Sequence, residues 1–71
     1  MPDAAIHTVV RILEKLGPIL YRGELPNGKI ILAHLSKPLT KAGREFQVDS
    51  RVIVELTPFD FDQGRIIDEA E

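Results

Sequence analysis

With 71 residues, of which 44% are hydrophobic and 28% charged, the chain makes one small domain, has no room for two, and is too apolar to stay unfolded. It has no cysteine, which excludes disulfides, thiolate zinc sites and cysteine nucleophiles, and its longest apolar run, Ile30 to Ala33, is far below the roughly 20 residues of a membrane helix. Net charge is −2 but unevenly spread: residues 1–28 carry three basic and three acidic groups, 29–51 five basic against two acidic, and 52–71 one against six, so a basic middle can still meet phosphate.

Residues 1–5, Met1-Pro2-Asp3-Ala4-Ala5, lack the basic start and apolar stretch of a secretory signal, so we expect a flexible lead on a cytoplasmic protein. From Ile6 to Glu14 the β-branched residues alternate, with Ile6, Val10 and Ile12 on one face. Val9, Ile12, Leu13 and Leu16 also fit a helical period, so periodicity alone leaves the choice open, and the β-branched content favours a strand. Gly17-Pro18 ends the element in either case. Residues 19–25 form a second strand with Ile19, Tyr21, Gly23 and Leu25 in one row. Pro26-Asn27-Gly28 predicts a hairpin built on positive φ angles at Asn-Gly.

The returning strand, 29–35, is apolar on both sides, which predicts a central strand covered on each face. Ser36 is placed to cap a short helix over 37–42, and Gly43 to end it. Residues 51–57 alternate strongly, with Val52, Val54 and Leu56 inward. Residues 58–64 then predict a turn-rich connection to a short last strand at 65–67. The result is an all-β chain, a five-stranded OB-fold barrel over 6–67 with a short helix between strands three and four, and an acidic C-terminal tail at 68–71.

Nothing in this chain supports catalysis: phosphate-cradling glycine motifs and a nucleophile elbow are missing, and Asp60 and Asp62 are best explained as solvated loop acids. No cofactor is implied. His7 and His34 lie 27 positions apart without ligand spacing, so no metal is expected. The basic set Lys37, Lys41, Arg44 and Arg51 suits a phosphate-contacting ledge about as well as a solvated helix face. Among the four aromatics, Phe59 and Phe61 suit a plug at a barrel end, while Tyr21, beside Arg22, suits base stacking. His34 fits either an RNA contact or a satisfied, half-buried histidine.

Three segments, read together, resemble the bacterial translation initiation factor one family. They are Tyr21-Arg22-Gly23-Glu24-Leu25-Pro26-Asn27-Gly28, Ala33-His34-Leu35-Ser36, and Val54-Glu55-Leu56-Thr57-Pro58-Phe59-Asp60 with Gln63-Gly64-Arg65-Ile66. The family pattern runs F-R-V-E-L, E-N-G, A-H-I-S, then V-E-L-T-P-Y-D with K-G-R-I, and matches residues 7–67 without a gap. The resemblance implies an OB barrel, by default a monomer, and implies that it binds the small ribosomal subunit in its decoding A site, against ribosomal RNA and a ribosomal protein. There such factors keep tRNA from binding prematurely and cooperate with the other two initiation factors. The family's RNA-facing positions fall on Tyr21, Arg22, His34, Ser36, Lys37, Lys41 and Arg65, with Arg51 at a further basic position.

The departures are Thr40 and Glu45 in place of basic residues, Ala42-Gly43 for Asn-Tyr, Asp49-Ser50 for Gly-Asp, and Asp68-Glu69-Ala70-Glu71 for a basic tail. Arg44 sits one place before the lost arginine, within reach of its role if the loop shifts by a residue. These changes predict ribosome binding weaker than is typical of the family. The rival expectation is a divergent OB-fold paralogue with a protein partner or a regulatory role outside initiation, which the acidic last third would suit.

Overall fold

The computed structural model describes residues 6–57 and 60–70, with only the backbone given for residues 60 and 61. The strands are β1 (Ile6–Lys15), β2 (Leu20–Glu24), β3 (Ile30–Leu35), β4 (Arg51–Thr57) and β5 (Asp60–Glu69), with α1 (Lys37–Lys41) between β3 and β4. They close into a barrel in the order β1-β2-β3-β5-β4, with β3 and β5 parallel and every other pair antiparallel. This is the five-stranded OB architecture with its one short helix between strands three and four.

β1 serves both halves of the barrel. Its first six residues pair with β4 and its later ones with β2, and a register shift between Ile12 and Glu14 turns it from one to the other. A side chain at Gly23 would put a Cβ only 2.2 Å from Val10 Cγ1, so the glycine lets β2 cross β1 closely at the turn. The strand reading of residues 6–14 therefore holds, with Val10 and Ile12 fully buried and Val9 outside. Ile6 shares the inward row but lies 37% exposed at its end. Closure leaves one interior, filled by Val10, Ile12, Tyr21, Ile31, Ala33, Val52, Val54, Leu56 and Ile66. Leu25, Leu35 and Phe46 complete this core, and Leu39 of α1 packs against it.

Four local expectations are corrected. The hairpin between β2 and β3 is a three-residue loop in which only Gly28 takes positive φ, at 90°. Pro26 and Asn27 occupy the middle of the turn closed by the Gly28 amide on Leu25 O (2.9 Å), and Asn27 Oδ1 accepts from the Lys29 amide at 3.0 Å. β3 is covered on one face only: Ile31, Ala33 and Leu35 are inside, while Ile30 and Leu32 are exposed. A single-layered barrel has no second layer to cover them, and α1 buries none of its own residues fully.

The last strand is ten residues long, not three. β5 lies between β3 and β4, and ladders on both sides hold its Asp, Gln and Gly residues extended against their turn preference. Asp68 and Glu69 belong to that strand, opposite Ile53 and Val52, and the Ala70 amide still bonds Arg51 O at 2.9 Å; the first two acidic residues after 67 are barrel, not tail. Ser36, finally, makes no side-chain cap to α1. Its carbonyl instead accepts from both the Thr40 amide and Thr40 Oγ1 at 2.9 Å, and its amide is anchored on Ile66 O. The barrel-plug assignment of Phe59 and Phe61, and the lead at 1–5, lie outside the described side chains.

Candidate nucleic-acid interface

Outward positions of four strands line up into one row. His34 of β3 faces Arg65 of β5, Arg65 faces Glu55 of β4, and Glu55 faces His7 of β1. Glu55 accepts from the Arg65 guanidinium, and His7 Nε2 lies 3.5 Å from its other oxygen. The bond from Arg65, then that from His7, holds the Glu55 carboxyl below the ordinary glutamate value of 4.5. An open groove of about 670 Å³ runs beside this row, between it and the start of α1. Its walls are His34, Leu35, Ser36, Lys37, Pro38, Glu55, Arg65 and Ile67, so apolar surface adjoins a guanidinium, an ammonium and an imidazole. A second depression of about 310 Å³ shares His34, Glu55 and Arg65 and extends toward Gln63 and Thr57.

Lys37 and Lys41 stand one helical turn apart on α1, both exposed and, among the described residues, without an ion pair. The helix ends in a Schellman motif: the Gly43 amide bonds Thr40 O and the Arg44 amide bonds Leu39 O, each at 3.1 Å, with Gly43 at φ 69°. That ending turns Arg44 over the ring of Phe46, 5.4 Å from its centroid, and onto Glu69 at 2.9 Å.

Of the residues singled out in the sequence, the fold gathers His34, Ser36, Lys37 and Arg65 around one groove, with Lys41 alongside on α1. Arg22 is on the same outer side, across Leu32 from Gln63, and is tied to Glu14. Arg51 is elsewhere, beside Arg11 and four residues from Glu55, roughly 13 Å along the strand at about 3.3 Å per residue. Tyr21 is a correction: its ring is fully buried, edge-on to Phe46 at 6.3 Å, and its hydroxyl accepts from the Phe46 amide at 3.2 Å, so it cannot stack on a base. Ser36 is 7% exposed and meets the groove only at its edge. His34 is exposed, unlike a packed histidine.

Sequence reading missed Glu55 and His7. The alternation of β4 would have exposed Glu55, since Val54 and Leu56 flank it inward, but its partner on β1 depends on barrel register. Three of the charged departures find partners: Glu45 pairs with Lys15 at 3.1 Å, Asp49 with Arg11 at 3.2 Å and Glu69 with Arg44. Arg11 also binds Glu24 at 2.8 Å, and these carboxylates, Glu24 foremost, hold its guanidinium above its usual pKa.

No family model matches the sequence. Among solved structures, the barrel is similar to the solution structure of translation initiation factor one from the Wolbachia endosymbiont strain TRS of Brugia malayi. The TM-score is 0.75 at 23% identity, over 94% of this chain and 79% of that one. The likeness is one of fold. Among the described residues, no helix is long and apolar enough to cross a membrane.

Proposed function

We propose that this chain is a translation initiation factor that binds the small ribosomal subunit at the decoding A site through ribosomal RNA. It keeps tRNA from binding there prematurely and cooperates with the other two initiation factors. The work is steric and needs no turnover: a rigid barrel occupies the site while its basic groove face meets the RNA backbone. The observation that carries this reading is the pair of ammonium groups, Lys37 and Lys41, without an ion pair among the described residues and beside a groove containing His34 and Arg65, on a barrel with an initiation-factor structural neighbour. Lys37 and Lys41 act as point charges for phosphate, Arg65 offers a planar fork, and the apolar walls at Pro38 and Ile67 suit the flat face of a nucleobase.

Charge reversal at the helix tests this. Lys37→Glu with Lys41→Glu should leave thermal melting unchanged, because both side chains are exposed, and weaken binding to purified small subunits by about tenfold or more. Undiminished binding would remove α1 from the interface. A second reading, a protein partner or regulatory role outside initiation, is favoured by one feature: six of the nine lysines and arginines, all within the described residues, sit in internal ion pairs. It predicts no affinity for small subunits even at low salt.

A further inference from the structure

We infer that Arg44 is a phosphodiester site for RNA that the chain keeps occupied with its own carboxylate, Glu69. The inference rests on the ribosome-binding reading above and goes beyond it by naming an internal competitor. Arg44 is positioned from both sides. The Schellman ending fixes its backbone on Leu39, and the next ring but one, Phe46, lies beneath its guanidinium while the Phe46 amide is bonded to the buried Tyr21 hydroxyl. A guanidinium held over a ring loses little freedom on binding an oxyanion, and it takes a carboxylate and a phosphate in the same geometry. The oxyanion it holds here is Glu69 Oε1, at 2.9 Å, presented by the last residue of β5.

Glu69 is well suited to yield. Its side chain is more than half exposed and that of Arg44 is 40% exposed, so the pair is screened by salt and worth little to the fold. The strand that carries it is held by its pairing with Val52 and Ile53 and by the Ala70 amide on Arg51 O, and does not depend on the carboxylate. An RNA phosphate arriving at the α1 end of the barrel can therefore displace Glu69 without unfolding β5. The acidic end of the chain thus lowers affinity by occupying one arginine, rather than by repelling the RNA at a distance.

The test is a double-mutant cycle of Glu69→Gln and Arg44→Gln, read with two probes: purified small ribosomal subunits across a salt series, and inorganic tripolyphosphate followed by amide shifts of residues 43–46. Glu69→Gln should bind subunits about three- to tenfold more tightly near 0.1 M salt and steepen the salt slope by about 0.7 to 0.9. Both gains should vanish when Arg44 is Gln, and tripolyphosphate should behave the same way. An equal gain with and without Arg44 would mean general charge repulsion and overturn the inference, as would no gain with either probe. If no variant binds subunits but tripolyphosphate shows the Arg44-dependent gain, the internal competitor stands and the ribosomal reading falls.

Discussion

Tyr21 joins the core to the loop that crosses the barrel mouth. Its hydroxyl accepts the Phe46 amide, a backbone donor inside the fold that would otherwise lie unpaired. Tyr21→Phe should lower stability by about 1 kcal/mol, the usual effect of removing one partner of a buried hydrogen bond, and leave subunit binding unchanged. Denaturant midpoints and a binding curve measure the two effects; a large loss of affinity without loss of stability would return the ring to the interface. The alternation of β2 already places Tyr21 in the inward row with Gly23 and Leu25, so its burial was legible from the residues. The stacking role was read from its place beside Arg22 in a chain with few aromatics, and the packing overrides it. Asp49 is a different case: at φ 73° it stands where the family pattern has glycine, a backbone conformation Asp tolerates better than most residues, and Arg11 holds its side chain.

At the scale of elements, the row from His34 to His7 exists because β5 pairs with β3 on one side and β4 on the other. Its stability should depend on pH through Glu55. Because Arg65 and His7 lower the folded-state pKa of this carboxyl, its contribution is complete above about 4.5 and is lost as pH falls through the lowered value. Glu55→Gln should therefore be less stable than the parent near neutral pH, with the gap closing in acid. Urea midpoints for both proteins from about pH 7 to about pH 3 would show this; a gap constant across that range would contradict it. β2 and β4 were readable from alternation, and β1 from its β-branched residues, since its period fits a helix as well. β5 was not, because Asp, Gln and Gly favour turns locally and only the two flanking ladders hold them extended. β3 misled in the other direction, since apolar residues on both faces suggest two covering layers and a small closed barrel supplies one.

Across the whole molecule, charge distribution sets how the protein can meet RNA. Lys37, Lys41 and Arg51 are the cations without an ion pair among the described residues, and the first two share the groove side. The basic middle segment was visible in the sequence, but the pairing that neutralises Arg44, Arg22 and Arg65 required the fold, because each partner lies 8 to 25 residues away. Glu45, Asp49 and Glu69, which in sequence look like charges set against RNA, are taken up by Lys15, Arg11 and Arg44. A protein of this kind should bind RNA through few free charges, with a shallow salt dependence. The most direct measurement is binding of the unmodified chain to purified small ribosomal subunits across a salt series, with and without the two companion initiation factors. Binding should be saturable and strengthened by the companions, with log K falling against log salt at a slope of roughly 1.4 to 2.7, as for two or three phosphate contacts. Absence of binding at low salt with both companions present would contradict the initiation-factor reading.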